Sequence, residues 1–207
     1  SEEISSKSGR ECFYVQGDIT SENDRKRILS YSRSKIETID VLVTNSGGPK
    51  PGNFDDHDNE DWSDAYSLLI ESTVSMIRGV LPDMKERNWG RIITITSQAV
   101  KQPVEGLILS NSVRSAILGL VKTLSIELGK YNITVNNVLP GYTLTDRLEN
   151  LIRQRGTSLE NISVNVPLKR VGLPNEFAAA VAFLASEKAS YITGISLPID
   201  GGWIKGI

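Results

Sequence analysis

Short apolar, β-branched runs alternate along this chain with long amphipathic stretches, and that alternation is its main structural signal. Cys12–Gln16 (CFYVQ), Val41–Thr44 (VLVT), Arg91–Thr96 (RIITIT), Thr134–Leu139 (TVNNVL) and Ile195–Ile199 (ISLPI) read as strands. Between them the pattern predicts helices over Ser21–Ile36, with Ser21 as N-cap, and over Asn59–Arg87, with a break at Pro82. Two more are predicted over Gly106–Lys130 and Pro174–Ala185; in the former, Leu109, Val113, Ile117, Leu120, Leu124 and Leu128 supply the apolar positions. Strands alternating with helices predict an α/β fold with a parallel sheet covered on both faces. Glu149–Val166 is the least patterned region. It follows a strand, where a substrate lid or an ordinary connecting loop would both fit.

Composition changes this picture little. The 207 residues suffice for one good core, and a formal net charge of −2 with evenly spread Lys and Arg leaves no footprint for nucleic acid or an anionic membrane. No apolar run reaches the length of a membrane span. The single cysteine, Cys12, precludes an internal disulfide and fits a cytoplasmic, reducing compartment. His57 lies in the polar run DDHDNED, which reads as a solvated loop ahead of a helix rather than a metal site.

Several motifs occur in order. A buried strand ends in Asn45-Ser46-Gly47; Asp18-Ile19 follows the first strand; Ser97 ends the third; and Pro140-Gly141-Tyr142-Thr143-Leu144-Thr145 follows the fourth. Pro167 to Glu176 (PLKRVGLPNE) and Thr193 to Gly202 (TGISLPIDGG) complete the set. Together these resemble the short-chain dehydrogenase/reductases, over nearly the whole chain. GGPKPGNF, LSNSVR and GLVKTLSIELG are similar to the 3-oxoacyl-acyl carrier protein reductase-like branch. The resemblance implies a Rossmann-like doubly wound sheet, NAD or NADP as cofactor, a small carbonyl or alcohol substrate, and a homodimer or homotetramer formed through the two long helices. It also implies that Asp18 and Ile19 meet the adenine. Asn45, Ser46 and Gly47 would border the adenosine side, and Pro140, Gly141, Thr143 and Thr145 would hold the nicotinamide carboxamide.

The chain departs from that family in two places. The family opens with a strand, a Gly-x-x-x-Gly-x-Gly turn and a helix, whereas the first glycines here are Gly9 and Gly17. Ser1–Arg10 looks like the helix before the family's third strand. The expectation is therefore one domain over residues 1–207 that lacks the first βαβ start, an amino-terminal truncation of a longer protein. In the family's strand order, the two strands so missing lie between Cys12–Gln16 and Val41–Thr44. The glycine turn carries the diphosphate site, so this chain alone is expected to bind a dinucleotide poorly.

The second departure is chemical. The family keeps Tyr thirteen residues after its Ser and Lys four beyond; counting from Ser97, this chain has Ser110 and Arg114. A fourth family residue, an Asn, aligns with Leu69 or a neighbour, and none of Leu68, Leu69 and Ile70 is polar. An aliphatic hydroxyl is a far weaker acid than a phenol of pKa about 10, and a shorter arm. Losing a positioned general acid costs about 10²–10⁴-fold in rate. Arg114 keeps the cation but cannot relay a proton as Lys can.

Three functions stay open at this point. One is a reductase or dehydrogenase with Ser97, Ser110 and Arg114 as an altered catalytic set. Another is a catalytically silent member that binds a dinucleotide or partner, and the third is an epimerase or dehydratase on the same fold. Tyr142, Lys101 and Glu105 are weaker candidates, better read as a packing aromatic and two solvated side chains.

Overall fold

The structure is a computed structural model that describes residues 2–206, with the side chains of residues 2, 154 and 155 outside the description. Four strands, β1 (Val41–Asn45), β2 (Gly90–Ile95), β3 (Ile133–Pro140) and β4 (Ser196–Ile199), pair in that order, all parallel. Helices α1 (Glu2–Ser8) and α2 (Glu22–Ile36) precede β1. Next come α3 (Asn59–Tyr66) and α4 (Ser72–Glu86) between β1 and β2, then α5 (Ile108–Leu128) before β3. Helices α6 (Asp146–Arg155), α7 (Leu159–Ser163) and α8 (Pro174–Ala185) lie between β3 and β4.

The two-residue period of each strand sorts its side chains onto two cores. Ile92, Ile133 and Val135 face one side, where Ile77, Val80 and Met84 of α4 and Ile117 and Val121 of α5 cover them. The neighbouring Ile93 and Val138 face the other side and meet Leu184 of α8. Each such buried aliphatic contributes about 1.5–3 kcal/mol. The expected doubly wound α/β sheet is thus present, and β1 stands at one end of it with Val41 and Val43 exposed.

Three expectations need correction. Cys12–Gln16 is not a strand but an irregular, mostly exposed segment. The nearest strand, β1, pairs only with β2 among the described residues, and a segment of this β-rich composition stays irregular where no ladder supplies its hydrogen bonds. The helical pattern from Asn59 is not broken at Pro82, which sits inside α4. The carbonyl that Pro82 leaves without an N–H donor belongs to Arg78, on the exposed side where water can serve it. The discontinuity falls earlier, at a five-residue π-helical turn, Ser67–Glu71. Finally, Glu149–Val166 is largely helical: α6 and α7 are capped by Thr145 and Ser158, whose hydroxyls accept from the N–H groups of Leu148 and Asn161.

Candidate active site

Polar side chains link the end of β2 to the middle of β3 and the start of β4. Asn137, fully buried in β3, accepts hydrogen bonds from the hydroxyls of Thr94 and Thr96 at 3.0 Å each and donates to Ser196 Oγ at 3.4 Å. This ladder across three strands fixes the end of β2, after which Ser97 begins a short 3₁₀ turn. Ser97 Oγ accepts from the Ala99 N–H at 3.1 Å. The capping role is therefore real, and the hydroxyl proton remains available to donate.

Arg114 is the residue that joins the site. It sits in the second turn of α5, only 6% exposed. Its guanidinium donates to the Thr96 carbonyl at 3.3 Å and to the Gly47 carbonyl at 2.8 Å, bridging the segments that leave β2 and β1. Burial, and secondarily the nearby Arg147 guanidinium, lower its pKa to about 10. Ser110, one turn earlier on the same helix, is half-buried and makes no side-chain hydrogen bond among the described residues.

A cavity of about 120 Å³ opens beside Arg114, lined by Ile19, Asn45, Ser46, Leu69 and Thr96 among others. Leu69 lies in the π-turn and is buried against this cavity. Ile19 reaches it because Arg25, 2% exposed, donates to the carbonyls of Ile19 at 2.8 Å and Thr20 at 2.9 Å and pairs with Glu71 of the π-turn at 2.9 Å. Sequence reasoning missed Arg25, because a cation on an amphipathic helix reads as solvated. Asp18 does not line the cavity. Its carboxylate accepts from the Thr20 N–H at 2.8 Å and hydroxyl at 2.7 Å, and those bonds lower its pKa.

The turn Pro140–Thr145 is held from two sides. Gly141 approaches the backbone of Asp200 so closely that a Cβ there would collide with it. Gly172 clamps the far end: its N–H donates to the Tyr142 carbonyl, and its carbonyl accepts from Leu144 N–H, both at 2.8 Å. Thr143 donates to the Gly141 carbonyl at 3.3 Å. Beyond lies a second cavity of about 270 Å³ between this turn and α6–α7, lined by Tyr142, Thr157, Asn161, Asn165 and Trp203 among others, with Tyr142 and Trp203 packed edge to face.

His57 is a further correction. Its side chain is 2% exposed rather than solvated; Nδ1 lies 3.3 Å from Asp61 Oδ2, and Nε2 packs against Gly52 with no hydrogen-bond partner. Gly52 in turn donates to Gly106 and accepts from Ile108, so the loop after β1 is pinned to the start of α5. No group of side chains fit to hold a metal ion occurs among the described residues, and no helix among them is long and apolar enough to cross a membrane.

A family model described as Enoyl-(Acyl carrier protein) reductase matches residues 1–204. The NADPH-dependent reductase BacG of Bacillus subtilis is 35% identical over 201 residues, covering 93% of this chain and 78% of that protein. The chain belongs to the short-chain dehydrogenase/reductase family. The 7alpha-hydroxysteroid dehydrogenase of Escherichia coli is 33% identical, over 95% of this chain and 76% of that protein. Among solved structures, that of YwfH, described as an NADPH-dependent reductase involved in bacilysin biosynthesis, superposes with a TM-score of 0.94 at 34% identity, covering 100% of this chain and 83% of that one. By family the chain is an oxidoreductase, and its relatives include proteins described as NADPH-dependent reductases.

The described residues suit a nicotinamide cofactor at one end. The two-sided clamp on Pro140–Thr145 and the buried cation of Arg114 suit its nicotinamide end. The cavity bordered by Asn45 and Ser46 is smaller than the several hundred Å³ of a typical ligand site. The Gly-x-x-x-Gly-x-Gly turn that forms the family's diphosphate cradle is absent from the described residues.

Proposed function

We propose that residues 1–207 act as one short-chain reductase domain that reduces a small carbonyl compound, in the manner of a 3-oxoacyl-carrier-protein reductase, through an altered Ser97–Ser110–Arg114 set. The observation that carries this reading is Arg114. A buried guanidinium held by the Gly47 and Thr96 carbonyls keeps positive charge between the ends of β1 and β2, where the family keeps its lysine.

Bound as NADH or NADPH, the cofactor supplies the hydride and leaves as NAD or NADP, while a proton from solvent completes the alcohol. Thr143 and Thr145, on the clamped turn, hold the carboxamide end, while Asn45, Ser46, Gly47 and Ile19 border the adenosine side. Asp18 holds its own turn through Oδ1, which leaves Oδ2 to accept from the adenine. Arg114 binds the nicotinamide ribose and stabilises negative charge developing nearby. Ser97 and Ser110 donate hydrogen bonds to the carbonyl oxygen, the proton arriving through Ser110 and water. Lacking the phenol, the site runs slowly, by about 10²–10⁴-fold. The cavity beside Tyr142 and Trp203 supports a substrate pocket there, and the single cysteine supports a reducing, cytoplasmic setting.

A ketone panel with NADPH or NADH, followed at the nicotinamide absorbance, tests this. Slow turnover is expected in the parent chain, and Ser110→Tyr with Arg114→Lys is expected to raise it by about 10²–10⁴-fold. A parent with no turnover on any ketone, and no gain in the double variant, overturns the reading.

A further inference from the structure

Two guanidiniums meet at one peptide unit at the mouth of this cleft. Arg114 donates to the Gly47 carbonyl. On the next residue, Gly48, the Arg147 guanidinium packs so closely that a Cβ would strike it. Arg147 comes from the first turn of α6, the helix that borders the second cavity.

Neither guanidinium of this pair makes an ion pair among the described residues. The other two deeply buried arginines, Arg25 and Arg91, reach the carboxylates of Glu71 at 2.9 Å and Glu187 at 3.5 Å. Among the described residues, Arg114 and Arg147 reach none. Carbonyls take two of the five donors of Arg114, leaving three for a ligand. Like charges brought together beside a low-dielectric wall repel unless an anion joins them. Burial, and after it the charge of Arg147, lower the pKa of Arg114. A guanidinium suits oxyanions because its planar fork gives paired hydrogen bonds. Two such forks match a phosphate or diphosphate better than a singly charged carboxylate, even with Asp146 and Glu149 in the same first turn of α6.

We propose that Arg114 and Arg147 form a two-arginine clamp for an oxyanion of the phosphate class, seated at the Gly47–Gly48 peptide. The anion comes either from the diphosphate of a dinucleotide or from a phosphate on a second ligand. The clamp is independent of whether Ser110 delivers a proton.

Inorganic pyrophosphate is the probe, titrated at constant ionic strength by calorimetry and by thermal shift. Saturable binding to the parent chain is expected. Arg147→Gln is expected to weaken it by at least about tenfold, with far-UV circular dichroism and unliganded Tm unchanged because Arg147 is exposed; Arg147→Lys should lie between. No saturable binding in the parent, or equal affinity in Arg147→Gln, overturns the clamp. A parallel titration followed by nicotinamide fluorescence separates the sources. NADPH weakened in step with pyrophosphate assigns the anion to the dinucleotide, and NADPH unaffected while pyrophosphate is lost assigns it to a second ligand. Pyrophosphate binding without ketone turnover retains the clamp and overturns only the hydride-transfer reading.

Discussion

Arg114 remains a cation at neutral pH even with its pKa lowered to about 10 by burial and by Arg147. The cost of holding that charge is therefore constant well below pH 10. Above it, the unfolded chain keeps the proton longer than the native one, so the parent gains stability with rising pH relative to a variant without the group. Arg114→Met leaves the Gly47 and Thr96 carbonyls without a donor and is expected to lower unfolding free energy by about 1–3 kcal/mol. Urea denaturation should show that difference flat between about pH 6 and pH 9 and shifting toward the parent as pH passes about 10. A slope inside the lower range would mean that another group titrates at the site. The register of Arg114, four residues after Ser110, was legible in sequence. Its two carbonyl partners were not, because Thr96 and Gly47 are 18 and 67 residues distant.

At the scale of elements, the loop Asp18–Thr20 and the π-turn Ser67–Glu71 act together. Arg25 ties one to the other and so sets the wall of the cavity that Ile19 and Leu69 share. Arg25→Met is expected to destabilise the fold by about 1–2 kcal/mol, discounted because Glu71 is half exposed. It should also raise amide exchange specifically over residues 17–20; exchange unchanged there would show that the loop stands without the tether. Apolar, β-branched runs located β1 to β4, most strongly β2 and β3, which are buried on both faces. The pattern failed at Cys12–Gln16, where the composition is β-like but no partner strand is at hand. It also failed at Pro82, since an exposed carbonyl tolerates a missing donor, and at α6–α7, where the apolar spacing of Leu148, Leu151 and Ile152 is short and the caps Thr145 and Ser158 set the bounds.

In the whole molecule, α3 and α5 each leave a large apolar side chain outside the two cores. Ile126 on α5 is 76% exposed, and Tyr66 at the end of α3 is 55% exposed. We expect light scattering on the eluting protein to give a dimer or tetramer, and Ile126→Glu to shift it toward monomer; a parent chain that elutes as a monomer would refute this. By itself the sequence determined the family, the four parallel strands and the positions of Ser97, Ser110 and Arg114, because these rest on local period and on spacing within one helix or one strand end. Only the tertiary structure decided that Arg114 is buried between two carbonyls, that Arg147 crosses from α6 to meet it at Gly48, that Arg25 holds the cavity wall and that His57 is inside. Those outcomes depend on contacts between residues far apart along the chain, where burial and hydrogen-bond geometry choose the partner and local propensity carries no information.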